Sequence, residues 1–259
     1  MKYPEIFDLR NKVALVTGAA SGLGVAFAEA MAEAGADVVC ADIDEKGMAE
    51  TVAKIERMGG TAIAFLCDVS KEDDCIRLIE KTVDTYGRLD ILFNNAGIVE
   101  VPKPLHEFTT EEWNRVLAVD LQGVFFCTRE ALKVMVRQKS GKIINIASIF
   151  GLTGSAHLFP VPAYNTAKGA VVNLTRELAL EYASLGININ AICPGFFVTN
   201  IGGGNSYTAE FDQLVSAFTP MGRQARPEEL KGAAIFLASA ASNYMSGQTL
   251  VVDGGIVAK

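Results

Sequence analysis

Apolar runs of strand length alternate with longer segments of helical period from one end of this chain to the other. That alternation restricts the fold more than any other feature. The runs are Val13–Thr17, Asp37–Asp42, Thr61–Leu66, Ile91–Phe93, Ile143–Ala147, Ile187–Ile192 and Leu250–Val252. Most are continuous Val, Ile, Leu and Ala, which is what strands covered on both faces require. Helical patterns between them predict helices over Val25–Ala34, Lys46–Met58, Glu72–Tyr86, Glu111–Gln138, Ala163–Ser184 and Pro227–Ala238. Gly35 is placed to stop the first, and Pro227 followed by Glu228 and Glu229 reads as a helix first turn. Strand and helix alternating six times predict an α/β fold: one doubly wound parallel sheet of about seven strands, with right-handed crossovers and helices on both faces. A length of 259 residues would also allow two small domains, but no linker-like composition breaks the pattern. Residues 1–259 are therefore expected to form a single domain. Gly202-Gly203-Gly204-Asn205-Ser206 reads as a mobile loop inside it.

The chain is 50% hydrophobic and 20% charged, with a net charge of −7, and its mean hydropathy of +0.26 is high for so acidic a sequence. Either it meets a membrane or it hides more apolar surface than one subunit's core. The longest apolar runs, such as Ala233–Ala238, fall far short of the ~20 residues of a spanning helix, so no membrane partner is expected. No signal peptide or lipidation motif is visible. Without a Lys/Arg stripe, nucleic acid is not an expected partner either. Cys40, Cys67, Cys75, Cys127 and Cys193 form no Cys-x-x-Cys pair and read as small core hydrophobes in a reducing, cytoplasmic compartment. His106 and His157 are too few for a His-rich zinc site, and no metal is expected.

After the first strand stands Thr17-Gly18-Ala19-Ala20-Ser21-Gly22-Leu23-Gly24, opening directly into a helix. Glycines let the backbone approach a pyrophosphate, and the free N–H groups of the helix start bind its charge. The spacing is Gly-x-x-x-Gly-x-Gly, and no Lys-Ser or Lys-Thr follows to make it a P-loop. Asp42 ends the second strand, 24 residues past Gly18. A carboxylate there accepts the hydroxyls of an adenosine ribose and repels a 2′-phosphate. Ser21 and Ile43 offer no cation to clamp such a phosphate, so NAD is favoured over NADP.

Tyr164 and Lys168, four apart in Tyr-Asn-Thr-Ala-Lys, share one helical face. A phenol titrates near ~10 and is a poor acid–base catalyst at neutral pH. A fixed ammonium beside it is expected to lower that value. Ser148 closes the fifth strand at the carboxyl edge of the sheet, where doubly wound folds place their chemistry.

Together these motifs make the chain resemble the short-chain dehydrogenase/reductase family over essentially its whole length, with a Rossmann-like fold. Thr17-Gly18-x-x-x-Gly22-x-Gly24, Asn94-Asn95-Ala96-Gly97, Ser148, Tyr164-x-x-x-Lys168, Pro194-Gly195 and Asp253-Gly254-Gly255 carry the resemblance. It implies that Tyr164 is the general acid or base on the substrate oxygen, that Ser148 hydrogen-bonds that oxygen, and that Lys168 binds the nicotinamide ribose. It further implies adenine contacts at Asp68 and Val69 and a cofactor cleft lined by Asn95, Ala96 and Gly97. Pro194, Gly195, Phe197 and Thr199 match the segment that holds the carboxamide. Gly18, Ser21, Gly22, Leu23, Gly24, Asp42 and Ile43 complete the cofactor set. The implied reaction is hydride transfer between NAD(H) and a secondary alcohol or ketone.

Two departures from the family pattern stand out. Asp120 occupies the place where the family usually has an Asn that supports a water-linked proton relay from the Lys. Ser148 and Tyr164 are 16 apart, about three more than is usual, and the extra length falls in Thr153–Val161. Ile98–His106, Leu152–Pro162 and a segment near 196–218 are expected to wall the substrate site, the last as a lid. His106, His157, Lys103 and Glu100 are the polar handles of a mostly apolar cleft. The resemblance leaves several substrates open: sugars and polyols, as in gluconate 5-dehydrogenase, or 3-oxoacyl-carrier-protein and CoA thioesters. A dinucleotide-binding regulator without turnover is the alternative from another class. Tetramers, or dimers, are common in the family through the segments that correspond here to Glu111–Gln138, Ala163–Ser184 and Leu250–Lys259. The apolar surplus is expected to lie there.

Overall fold

The computed structural model describes residues 4–199, 201 and 208–258. Seven strands form one parallel sheet: β1 (Val13–Thr17), β2 (Asp37–Asp42), β3 (Ala62–Leu66), β4 (Ile91–Asn94), β5 (Gly141–Ile146), β6 (Ile187–Pro194) and β7 (Thr249–Val252), in the order β3-β2-β1-β4-β5-β6-β7. The chain winds outward from β1 to β3, returns to β4 beside β1, and winds the other way to β7. A crevice therefore opens beyond the carboxyl ends of β1 and β4, where the direction of winding reverses.

All five residues of β1 and all four of β4 are buried, as their continuous apolar runs require. At one edge β3 is buried at Ala62 alone and then alternates half-buried and exposed positions; at the other, β7 is half-buried throughout. One core cluster packs α1 (Gly22–Glu33) and α8 (Lys231–Ala238) on one face of the sheet, with Phe27 stacked on Phe93 at 5.1 Å. The other face is covered by α3 (Glu72–Tyr86), α5 (Gly123–Gln138) and α6 (Pro162–Tyr182). Between α1 and α3, α2 (Glu45–Arg57) is capped by Asp44, whose carboxylate accepts the Lys46 and Gly47 N–H groups.

Three local features differ from the expectation. The helix expected over Glu111–Gln138 is three pieces: α4 (Thr110–Leu117), a π-helical turn over Ala118–Gln122, and α5. Pro227–Leu230 is a 3₁₀ turn that leads into α8. An unexpected helix, α7 (Ala209–Phe218), stands inside the segment read as a lid, capped by Thr208 Oγ1, which accepts the Phe211 N–H at 3.1 Å. The loop expected over Gly202–Ser206 lies outside the described residues.

Candidate active site

The glycine turn after β1 is tied to the turn after β4. Thr17 Oγ1 donates to the Phe93 carbonyl at 3.2 Å and accepts the N–H groups of Asn95 and Ala96 at 3.0 and 3.1 Å. The Asn95 amide returns two bonds, to the carbonyls of Thr17 at 2.8 Å and Gly18 at 3.1 Å. Gly18 has φ +67°, and a Cβ there would lie 2.8 Å from Ala96 Cα; one on Gly24 would lie 1.9 Å from the Gly18 carbonyl oxygen. Side chains are excluded from this turn by backbone on both sides. α1 begins at Gly22 with no acidic residue in its first turn, and Ser21, its N-cap, makes no side-chain capping bond. The first-turn N–H groups and the positive end of the dipole are thus left for an anion, so the residues fit the pyrophosphate of a dinucleotide. Leu23 packs on the core below, and a Cβ on Gly22 would meet Thr199, which is buried against the turn.

Asp42 lies beside this turn. Its Oδ2 accepts the Ala20 N–H at 3.0 Å and its Oδ1 those of Ile43 and Asp44 at 2.7 and 3.1 Å. Those donors fix the carboxylate at the crevice mouth and leave Oδ2 a lone pair for a hydroxyl. The Ile43 side chain is 70% exposed. Asp68 curls onto its own turn: burial pushes its carboxyl up, but the Ser70 hydroxyl and N–H, with Lys71, hold it below the usual carboxylate range. Val69 is buried and crowds Gly123 at the start of α5. Pro194 ends β6, Gly195 is pressed against Asp253, and Phe197 pairs with Ala225 in an isolated parallel bridge.

Ser148, Tyr164 and Lys168 converge beside the crevice. Ser148 follows β5 and is 6% exposed; its hydroxyl accepts the Phe150 N–H at 3.1 Å and faces the Tyr164 hydroxyl. Pro162 opens α6, Tyr164 stands in its first turn, and Lys168 comes one turn later with Nζ 5.4 Å from the tyrosine ring centre. That ammonium donates to the Ile146 carbonyl at 3.0 Å and lies 3.1 Å from Asp120 Oδ2. Asp120 sits in the π-turn, fully buried, with Oδ1 accepting the Ile98 N–H at 2.8 Å.

At Tyr164 the Lys168 ammonium acts in the expected direction, but the phenol without cofactor is raised, because burial outweighs it. Burial raises the phenol above its ordinary range; Lys168 pulls it down, Asp120 pushes it up, and Ser148 favours the ionised form. In the protein alone burial prevails. Burial also works against the charge on Lys168, but Asp120 holds that ammonium ionised.

Two polar handles of the expected cleft are occupied elsewhere. Glu100 accepts the Ala163 N–H at 2.7 Å and the Tyr164 N–H at 3.1 and 3.2 Å, closing the start of α6. Lys103 is paired with Glu112 at 2.6 Å. The expected wall residue His157 lies 5.2 Å from the Phe218 ring, and Phe150, Phe159, Phe196 and Phe211 pack ring to ring at 5.7–6.3 Å. Tyr164, Leu158, Phe159, Phe196 and Phe218 all pack against one buried cluster of Ile149, Phe150 and Ile256. A buried polar ladder lies under the site: Asn94 donates to Thr128 and Asn145, and Asn145 to Thr175, all at 2.8–2.9 Å. An Asn inside two successive apolar strands is the signal that could have found it.

Residues 18–257 match a family model described as enoyl-(acyl carrier protein) reductase. A cis-4-hydroxycyclohexanecarboxylate dehydrogenase from Sinomonas cyclohexanicum is 42% identical, covering 96% of this chain and 97% of its own. A 2-dehydro-3-deoxy-D-gluconate 5-dehydrogenase from Dickeya dadantii is 40% identical over 98% of each chain. A gluconate 5-dehydrogenase from Burkholderia cenocepacia, crystallised with NADP and tartrate, superposes with a TM-score of 0.91 at 36% identity and 98% coverage of each chain.

Proposed function

This chain belongs to the short-chain dehydrogenase/reductase family, and on that footing we propose that it interconverts a secondary alcohol and a ketone, using NAD(H), through Ser148, Tyr164 and Lys168. The observation that carries the reading is the meeting of these three side chains beside the glycine crevice of β1 and β4. Gly18, Ser21, Gly22, Leu23 and Gly24 receive the pyrophosphate and Asp42 the adenosine ribose. Asp68 and Val69 flank the adenine, and Asn95, Ala96 and Gly97 the middle of the cofactor. Pro194, Gly195, Phe197 and Thr199 hold the carboxamide. A nicotinamide held there would supply the hydride acceptor for oxidation and the hydride donor for reduction. In oxidation Tyr164 takes the alcohol's proton as the hydride leaves the same carbinol; in reduction it returns a proton to the oxygen. Ser148 hydrogen-bonds that oxygen, and the ammonium of Lys168 favours the phenolate. Since burial alone makes the phenol a weaker acid, proton transfer depends on the positive charge that Lys168 and an oxidised nicotinamide bring to it.

NAD in preference to NADP is supported by the fixed carboxylate of Asp42 and the aliphatic Ile43 beside it, although the Burkholderia relative was crystallised with NADP. The aromatic cluster that Tyr164 joins supports a substrate of modest size with an apolar body, with Phe196, Phe211 and Phe218 of the expected lid beside it. A homotetramer, or a homodimer, is supported by apolar side chains exposed on α5 and α6: Phe125 is 45% and Leu180 82% exposed. Five free, buried cysteines suit a reducing cytoplasm. No helix among the described residues is long and apolar enough to cross a membrane.

The test is a panel of cyclic secondary alcohols, sugar acids, hydroxysteroids and 3-hydroxyacyl thioesters, each assayed with NAD and with NADP, on the parent and Tyr164→Phe. The reading expects turnover with NAD and its loss in Tyr164→Phe with cofactor binding intact. Unchanged turnover in that variant overturns the mechanism, and preference for NADP overturns the reading of Asp42.

A further inference from the structure

The Asp120–Lys168 contact is a carboxylate and an ammonium at 3.1 Å, with side chains 0% and 4% exposed. Charges are kept at such depth only when each answers the other. Oδ1 is committed to the Ile98 N–H; among the described residues Oδ2 has no well-aligned hydrogen-bond donor and faces the ammonium. The helix widens into a π-turn where Asp120 stands, a local irregularity of the kind that often marks a functional position. A Cβ on Gly97 would come within 2.9 Å of Oδ2 and 3.3 Å of Lys168 Nζ, so the turn after β4 closes over the pair.

We propose that Asp120 is a positioning residue that holds the Lys168 ammonium and offsets its charge, which leaves the Tyr164 hydroxyl a weaker acid than a neutral amide at that place would. The inference rests on the reading of Tyr164 as the proton-transfer group. The groups that face Tyr164 are Lys168 on its own helix, Asp120 from the π-turn, Ser148 after β5 and Cys193 on β6. Ser148 carries no charge, and burial pushes the Cys193 thiol up to about 11, so it is neutral as well. Burial pushes the Asp120 carboxyl up and the nearby Glu100 adds to that, while the Lys168 ammonium 3.1 Å away and the Ile98 N–H favour its ionised form; Glu100 is itself occupied by the backbone of Ala163 and Tyr164. Burial makes the largest contribution to the proton affinity of the phenol, and Lys168 and Asp120 are the two opposed charges that adjust it. With the carboxylate present, oxidation, which needs the tyrosine as a base, is moved to the alkaline side; reduction, which needs it as an acid, persists to higher pH.

The experiment replaces Asp120 by Asn, which keeps the size and an oxygen for the Ile98 N–H but removes the charge. The Tyr164 hydroxyl is titrated by its tyrosinate ultraviolet difference against Tyr164→Phe in protein without cofactor, and the pH profile of kcat/KM for alcohol oxidation is recorded with NAD. Both midpoints are expected to move to lower pH in Asp120→Asn by about one unit, a tenfold change in proton affinity. If that variant folds poorly, Asp120→Ser removes the same charge and is expected to move the midpoints the same way. Unmoved tyrosinate midpoints in a folded charge-removing variant overturn the proposal. A moved titration with an unmoved activity profile, or a fully active Tyr164→Phe, instead overturns the assignment of Tyr164 as the proton-transfer group.

Discussion

The Glu100 carboxylate accepts the backbone N–H of Tyr164 with both oxygens, at 3.2 and 3.1 Å, so an acid from the turn after β4 closes the first turn of the helix that carries the tyrosine. Helix starts leave N–H groups unpaired and favour a negative partner, and here that partner comes from another element 64 residues away in sequence. Glu100→Ala is expected to cost about 1 kcal/mol, a fall of about 2–4 °C in Tm for a chain of this size. It should lower kcat several-fold, because Tyr164 is no longer held. Glu100→Gln, which keeps an acceptor oxygen, should recover most of both. Calorimetry and steady-state kinetics read the two effects separately.

Gly24 has no room for a methyl group: its Cβ would sit 1.9 Å from the Gly18 carbonyl oxygen and 2.8 Å from the Asn95 amide. Gly24→Ala must therefore push α1 away from the turn or break the Asn95 bonds. Dinucleotide affinity is expected to fall at least tenfold, measured by quenching of intrinsic fluorescence on NADH titration.

Asn145 is the middle of the buried ladder, accepting from Asn94 and donating to Thr175. Asn145→Ala leaves the Asn94 amide with one partner fewer and the Thr175 hydroxyl without its donor. An unsatisfied buried polar group costs about 1–3 kcal/mol. Urea unfolding should show a midpoint lowered accordingly with an unchanged slope.

Asp90 carries the clearest acid-side pH dependence. Burial raises its carboxyl, but Arg88, the Val13 N–H and Lys12 together hold it below the ordinary range. A depressed folded value means that the stabilisation is complete above the unfolded value near ~3.9 and is lost as pH falls through the folded value. Asp90→Asn should lower stability at pH 7, and the difference from the parent should shrink as the pH is taken below about 4. Equal differences at pH 7 and pH 3 by urea unfolding would contradict this assignment.

Much of the fold was legible because its signals are local. β1 and β2 have the expected bounds, since a run such as Val13–Thr17 is long enough for a strand and too short for a helix. α3 begins and ends where its acidic first turn and Gly87 place it. The break at Ala118–Gln122 was not legible: Ala-Val-Asp-Leu-Gln continues the helical pattern, and only packing against Gly97 and Lys168 distinguishes it. α7 had weak local signals in Thr208, Glu210 and Asp212, but the glycines before it suggested a loop. Within the site, the residue types at Gly18, Asp42, Ser148, Tyr164 and Lys168 were readable, whereas the occupants of Glu100 and Lys103 were not. A carboxylate or an ammonium in a loop declares its charge, and its partner is chosen by folding.

By itself the sequence determined the parallel sheet, its crossovers and the identity of the groups that meet at its carboxyl edge, because strand length, helical period and glycine spacing act over a few residues. Only the tertiary structure decided what state those groups are in. Tyr164 is raised, not lowered, since burial outweighs Lys168, and Lys168 is answered by Asp120, 48 residues upstream. Desolvation and Coulomb interactions depend on distance and depth in space, and neither quantity exists until the chain has closed around the site.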